Sequence, residues 1–218
     1  MDVTAQVGGA STSGNDIVRA RLRAARRAIP PAQRAQAERA IAARLRALRF
    51  IRAGRKVAVY LAMRGEANLG PILPHARRIG CRLFVPRIQS IRRRTMAFVP
   101  LDGGRLRRNR YGIAEPSASN GQAIPLRNLD LILLPLVGFD RAGHRIGMGA
   151  GYYDRVLQRR RARERAWRRP LLIGVAYACQ ESPLIKPAPW DVAVDLIVTE
   201  REVIQPHRPA SGDPSQTK

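Results

Sequence analysis

Leu131-Ile-Leu-Leu-Pro-Leu-Val137 runs straight into Gly138-Phe-Asp-Arg-Ala-Gly-His-Arg-Ile-Gly-Met-Gly-Ala-Gly151, and from there into Tyr152-Tyr-Asp-Arg155. The first piece is an unbroken apolar run with the length of a strand buried on both faces. The second carries too much glycine for the interior of a helix or strand. The third opens a segment, Tyr152 to Arg165, that reads as a helix. Strand, glycine loop and helix form one step of an α/β unit, and the same rhythm recurs on both sides of it.

Upstream, Asn15 or Asp16 can cap a helix starting at Ile17, with Ile17, Leu22, Ala25 and Ile29 as its apolar stripe and Pro30-Pro31 ending it. A second helix starts near Pro31, places Ile41, Leu45 and Leu48 on one face, and closes at Gly54. Val57 to Leu61 and Cys81 to Val85 read as buried strands, the second ended by Pro86, with a helix from Pro71 to Ile79 between them and Gly80 as its stop. Thr95 to Val99 is a third strand, and Leu101 to Pro125 reads as irregular. Downstream, Leu171 to Ala176 and Leu196 to Thr199 are further strands. The pattern predicts an α/β fold, a single domain whose central sheet is mostly parallel and covered by helices on both faces. Residues 15–204 form that domain, flanked by a small polar tail over 1–14, expected to be disordered, and a loose tail over 205–218. Ligands of such sheets sit at the carboxyl ends of the strands, so the loops after Leu61, Val137 and Thr199 are the places to search.

Composition narrows the function. No run approaches the roughly 18 apolar residues of a membrane span, and the start, MDVTAQVGGASTSGND, is unlike a secretory leader. Cys81 and Cys179 both lie in apolar runs and are expected to be buried, reduced thiols of a cytoplasmic protein. The net charge of +24 suits polyanions. However, the basic residues are almost all Arg, and they fall between apolar segments with no zinc-finger, helix-turn-helix or RNP-type signature beside them. Nucleic acid is therefore expected to bind only non-specifically and at low salt. A cleft for an anionic small molecule accounts for part of the charge. The expected state is a monomer.

The chemistry concentrates in the glycine loop. Glycines at 143, 147, 149 and 151 let backbone N–H groups approach a ligand closely, and the helix that follows offers its N-terminal N–H groups to phosphate oxygens. Arg145 adds a planar fork of donors. Asp154, in the helix's first turn, could hold Mg²⁺ against phosphates. No Gly-Lys-Ser/Thr follows, so this is not a Walker loop, and GxGxG is not the dinucleotide spacing. Bare glycine spacing fits a tight connection equally well. Together with Arg145, two tyrosines and Asp154, a phosphate site is the better reading. His144 is a further candidate for phosphate contact. His75 and His207 lack partners at metal spacing, and Trp167 and Trp190 read as packing residues.

The stretch FDRAGHRIGMGAGYYDR resembles the signature loop of the 5-formyltetrahydrofolate cyclo-ligase family, and GMGAGYYDR is its most specific part. The resemblance runs from Ile17 to about Val203, supported in order by Arg19 to Arg23, Val59 to Glu66, Tyr111 to Pro116, Leu131 to Pro135 and Val194 to Thr199. It implies ATP-dependent closure of 5-formyltetrahydrofolate to 5,10-methenyltetrahydrofolate with Mg²⁺, and a role for each matching residue. Arg19, Ala20, Arg21, Leu22 and Arg23 would contact ATP, although many members carry Lys where this chain has Arg19. Arg145, Ile146, Gly147, Met148, Gly149, Ala150, Gly151, Tyr152 and Tyr153 would form the nucleotide loop, with Arg145 stabilising phosphoryl charge. Ala150 replaces a position that is often Gly or Lys. Leu61, Glu66 and the stretch Met148 to Tyr152 would bind folate, which is polyglutamylated in some forms. Asp154 and Asp195 would hold the metal. Read without the resemblance, the residues say less: a solvated basic face at Arg19 and Arg23, a surface acid at Glu66, core at Leu61 and a strand-edge acid at Asp195. Two alternatives stand beside this reading, another ATP-using folate or pterin enzyme on the same scaffold and a nucleic-acid-binding protein built on such a domain.

Overall fold

The computed structural model describes residues 14–63, 65–101, 106–108, 114–116, 122–161 and 170–206. Helices α1 (Gly14–Arg27) and α2 (Pro31–Ala47) lead into β1 (Lys56–Ala58), α3 (Leu73–Arg78), β2 (Arg82–Ser90) and β3 (Thr95–Pro100). A hairpin of β4 (Leu106–Arg108) and β5 (Ala114–Pro116) follows, then β6 (Leu131–Pro135), β7 (Gly138–Phe139), β8 (Arg145–Ile146) and α4 (Tyr152–Arg161). β9 (Leu171–Val175), β10 (Leu196–Val198) and β11 (Val203–Ile204) complete the order. Seven strands form the central sheet in the order β11-β10-β9-β6-β1-β2-β3. The five inner strands are parallel, and the two edge strands, β3 and β11, are antiparallel to their neighbours. The expected single α/β domain with a mostly parallel sheet is the fold observed.

The reason lies in the strands' unbroken apolarity. Side chains alternate across a sheet, so a strand apolar at every position fills two cores at once. In β6, Leu131 and Leu133 join the core beneath α2 and α3, where Ile41, Leu45 and Ala76 pack. Ile132 and Leu134 join the opposite core with Leu157 of α4, Phe139 and Val194. A smaller cluster beyond the sheet's carboxyl edge packs Val18 and Leu22 of α1 on Val137, Ile146 and Ile185. Among the described residues no helix is long and apolar enough to cross a membrane.

Several local expectations are corrected. α1 starts at Gly14, so Asn15 and Asp16 lie in its first turn. The Asn15 carboxamide instead pairs with the Lys186 backbone, accepting from its N–H at 3.1 Å and donating to its C=O at 2.7 Å. The buried face of α1 is Val18, Leu22 and Arg26, and Ile17 is exposed. α2 stops at Ala47, long before Gly54, because Arg49 takes the left-handed conformation (φ 54°) that ends helices. Pro86 does not end β2. Val59 N–H donates to Phe84 O on the β1 side, and Leu101 N–H to Leu83 O on the β3 side. By alternation Pro86 turns its nitrogen toward the side where β1 has already finished, so no ladder bond is lost. Part of the segment expected to be irregular pairs as the β4–β5 hairpin, and the front of the glycine-rich stretch folds as the β7–β8 hairpin. Cys81 is buried but Cys179 is exposed, because β9 ends at Val175 and residues Ala178–Gln180 form a 3-10 turn. The tails, apart from Gly14, Gln205 and Pro206, lie outside the described residues, as do Tyr111 to Ile113, Trp167, His207 and the end of the helix expected to reach Arg165.

The junction of α1 with the sheet leaves no spare volume. A Cβ on Gly138 would lie 2.3 Å from Leu22 Cδ1. Leu22 packs with Val18, Val137, Ile146 and Ile185, so making room means repacking that cluster. Gly138→Ala gains about 0.4–1 kcal/mol from a stiffer unfolded chain, and overpacking costs about 1–3 kcal/mol. The variant is therefore expected to unfold at lower urea concentration than wild type. Adding Leu22→Val should recover part of the loss, whereas two additive penalties would place the clash elsewhere.

Candidate active site

β1 to β3 build outward on one side of the sheet and β6, β9, β10 and β11 on the other, so the strand order reverses between β1 and β6. The crevice outside the carboxyl ends of strands at such a reversal is where open α/β sheets bind ligands. A cleft of about 940 Å³ lies there. Tyr60, Leu61, Met63 and Glu66 enter it from the segment after β1, and Pro135 from the end of β6. Arg145 through Asp154 line another wall. The loop after Thr199, also expected to contribute, does not line the cleft, and there Glu200 accepts from Ala178 N–H at 2.9 Å.

The glycine loop is short and its conformation is demanding. Pairing of β7 with β8 consumes the chain up to Ile146 and leaves Gly147 to Gly151 to reach α4. Gly149 and Gly151 have φ of 93° and 70°, where a side chain is strained, while Ala150 has no positive φ and its methyl group is accommodated. The loop brings the N-terminal end of α4, Tyr152 to Asp154, to the cleft, and a helix N-terminus is suited to anions. Arg145 is buried. Its Nε donates to Val192 O at 3.1 Å, and its Nη2 is paired with the Asp154 carboxylate. The guanidinium is thereby locked at the base of the loop, with the half-exposed Asp154 facing the cleft. Arg19, on α1, donates from Nε to Gly147 O at 3.0 Å and pairs with Asp16, clasping helix to loop.

The acidic side is built differently. Glu66 is buried, and Oε2 accepts from Met63 N–H at 2.9 Å. Burial raises its pKa above the ordinary 4.5, while the Met63 N–H and the charge of Arg26 pull the other way. Arg26 is itself buried, its pKa lowered by desolvation and partly restored by Glu66, and it donates to Leu136 O at 3.4 Å. Its Nε lies 3.5 Å from where a Cβ on Gly65 would stand, so the guanidinium backs directly onto the Glu66 loop. Tyr60 donates to Ala67 O at 2.5 Å. Desolvation, and then the charge of Glu66, raises the pKa of both Tyr60 and Tyr153, so both phenols stay protonated. A smaller cavity of about 420 Å³, walled by Arg34 and Glu38, shares Tyr60, Leu61, Met63 and Glu66 with the main cleft.

Arg19, Leu61, Glu66 and Arg145 through Asp154 thus meet in one cleft. Ala20, Arg21, Leu22 and Arg23 do not line it. Leu22 is core, and Arg21 donates to Ser182 Oγ at 3.2 Å. Only the first turns of α1 reach the cleft, through Asn15 and Arg19 at i and i+4. Asp195 does not join Asp154. It precedes β10, and its carboxylate accepts from Leu172 N–H at 2.8 Å at the amino ends of β9 and β10, the edge of the sheet opposite the cleft. His144 is held by Asp140, with Nδ1 2.8 Å from Oδ2, and does not line the cleft either. Among the described residues no group of three or more His, Cys, Asp or Glu is placed to hold a metal ion. A single carboxylate still suits Mg²⁺, which commonly takes one or two carboxylates together with substrate phosphates and water. Asp154 at the mouth of the glycine loop fits that donor set. Lining residues outside the candidate set include Arg92 and Arg94 in the β2–β3 turn and Trp190. Trp190 was expected to pack, yet it is 60% exposed. The two prolines just ahead of it, Pro187 and Pro189, were the signal that it sits on a loop.

An open, mostly parallel sheet with an anion-suited glycine loop facing a buried carboxylate across one carboxyl-edge cleft defines an α/β enzyme acting on small molecules. Residues 11–200 match the 5-formyltetrahydrofolate cyclo-ligase family, and the chain belongs to that family. It is 30% identical over 185 residues to the 5-formyltetrahydrofolate cyclo-ligase of Escherichia coli K12, covering 84% of this chain and 98% of that one. The Haemophilus influenzae enzyme of the same name is 28% identical over 192 residues, 86% of this chain and 99% of its relative. The NMR structure of Aquifex aeolicus 5,10-methenyltetrahydrofolate synthetase superposes with a TM-score of 0.75 at 26% identity, covering 94% of this chain and all of that one. The Mycoplasma pneumoniae 5,10-methenyltetrahydrofolate synthetase shares the fold, with a TM-score of 0.68 at 22% identity over 87% of this chain and 99% of that one.

Proposed function

We propose that this chain closes 5-formyltetrahydrofolate to 5,10-methenyltetrahydrofolate at the expense of ATP, with Mg²⁺. The observation that carries the proposal is the single cleft walled on one side by Glu66 and on another by the loop from Arg145 to Asp154. Glu66, an acceptor, suits the ring N–H and amino donors of a pterin, and Leu61 and Met148 supply apolar wall. The N–H groups of Gly147 to Gly151 and of the first turn of α4 cradle the triphosphate, aided by Arg145 and by Arg19, the residue of the Arg19–Arg23 segment that reaches the cleft. Asp154 would hold Mg²⁺, whose chemistry is to neutralise charge on the phosphate oxygens. Asp195, tied to the β9 backbone, serves the sheet.

The reaction needs ATP because a formamide oxygen is a poor leaving group. The formyl oxygen on N5 takes the γ-phosphoryl group and ADP departs, leaving an iminium phosphate. N10 attacks that carbon with its lone pair, its proton is lost, and the C–O bond breaks to release inorganic phosphate as the ring closes. The chain's own contribution is alignment of the formyl oxygen with the γ-phosphate and preorganised positive charge from Arg145. No protein nucleophile takes part. The decisive test is the absorbance of methenyltetrahydrofolate, followed with and without ATP and Mg²⁺. Product that accumulates equally fast without ATP would overturn the proposal.

A further inference from the structure

Among the described residues six large apolar side chains are exposed, and three of them, Ile91, Met148 and Trp190, line the same cleft. They come from three separate segments: the β2–β3 turn, the glycine loop and the loop ahead of β10. Isolated exposed apolar residues are ordinary, but three converging on one mouth mark a surface for an apolar or aromatic ligand group. Trp190 stands out. Its loop is held firmly, since Asp191 N–H donates to Ala188 O and Ala188 N–H to Asp191 Oδ2, both at 2.9 Å. Asn15 clamps the same loop to the start of α1 through both polar atoms of Lys186's backbone. One turn on, Arg19 ties α1 to Gly147 O. The Trp190 loop, α1 and the glycine loop are thus one connected wall of the cleft, the wall that carries the proposed phosphate cradle.

We infer that Trp190 is the face against which the purine base of the nucleotide stacks, with Met148 on the same rim. This rests on the proposed use of ATP at the glycine loop. An indole held on a rigid loop offers a flat π-surface at little cost in ordering. A purine whose phosphates are anchored at Gly147 to Gly151 needs such a surface outside the cradle. A thioether beside an aromatic ring is a favourable neighbour. The inference makes Trp190 a determinant of nucleotide affinity that takes no part in the chemical step.

The test is calorimetric titration of the full chain, in Mg²⁺ buffer, with ATP and with inorganic tripolyphosphate, which has the phosphates without the base. Base–aromatic stacking contributes enough that Trp190→Ala should weaken ATP by about tenfold or more, while tripolyphosphate binds as to wild type. Trp190→Phe should keep most of the ATP affinity. In the steady state, the KM for ATP should rise in Trp190→Ala, with kcat at saturating ATP and the KM for 5-formyltetrahydrofolate unchanged. Because Trp190 is 60% exposed, the variant should melt like wild type. Equal loss of ATP and tripolyphosphate would make Trp190 a mere prop for the loop and overturn the inference. A rise in the folate KM with ATP affinity intact would overturn it in favour of the folate's benzoyl ring. Wild type that binds folate but neither ATP nor tripolyphosphate would instead strike down the ATP reading itself, and this inference with it.

Discussion

Asp154→Asn is expected to lower turnover by about 10²-fold or more, the scale on which removing one preorganised electrostatic group acts. Asp154 sits in the first turn of α4, is partly exposed to the cleft, and is paired with the buried Arg145. The substitution keeps shape and leaves an oxygen to accept from Arg145, so the fold should survive. The lost carboxylate at a helix N-terminus costs about 0.3–1 kcal/mol. Chemistry suffers far more, because the carboxylate proposed to hold Mg²⁺ beside the phosphates is gone. The midpoint of the Mg²⁺ titration should therefore move upward along with the fall in kcat. The measurements are kcat at saturating ATP and folate, a Mg²⁺ series, and thermal melting. A normal Mg²⁺ midpoint in a variant of normal activity would remove Asp154 from the metal site.

Glu66→Gln should separate function from stability, and in opposite directions. Hydrogen bonds to a charged acceptor contribute about 1.5–3 kcal/mol, so the KM for 5-formyltetrahydrofolate should rise by about 10- to 100-fold, with ATP affinity near wild type. Stability should move the other way. Burial raises the Glu66 pKa above 4.5 in spite of Met63 N–H and Arg26, so the folded protein favours the protonated side chain. The stabilising contribution of that proton is fully present below pH 4.5 and is lost as pH rises through the folded-state pKa. Gln keeps the neutral state at all pH values. The variant should therefore melt at a higher temperature than wild type at neutral pH, and the gap should close as pH falls toward the ordinary carboxylate value. Lower stability at neutral pH would mean that Arg26 depends on the Glu66 charge more than burial penalises it. A stabilising loss of function is the usual signature of a site residue held in an unfavourable environment.

The sheet was legible because its strands are buried on both faces. Leu131 to Leu134 must be apolar at every position to fill two cores, and such a run needs no partner to be recognised. The glycine loop was legible for a local reason as well, since Gly149 and Gly151 need a backbone conformation that side chains resist. Strands of two residues were not. β7, β8 and β11 have no period to read, and their pairing depends on chain brought alongside from elsewhere. Residue types mattered less than surroundings at Cys179 and Ile17, both expected inside and found exposed because of where β9 ends and which face α1 presents.

Taken alone, the sequence determined the α/β class, the phosphate-suited loop, the family resemblance and the candidate carboxylates. These depend on apolar periodicity, glycine positions and local spacing, all of which are properties of a linear string. Tertiary structure decided which candidates meet. Asp154 and Asp195 each sit beside a strand or helix end and look alike in sequence, but strand direction carries one to the carboxyl edge and the other to the amino edge. Arg19 reaches the glycine loop and Arg23 does not, because the packing of Val18 and Leu22 on Val137, Ile146 and Ile185 sets how far α1 extends over the cleft. Trp190 is a rim residue because a loop pinned through Asn15 and Asp191 holds it in the open. Strand direction, register and the seating of a helix arise from contacts between residues far apart in the chain, so they exist only once the whole sheet has assembled.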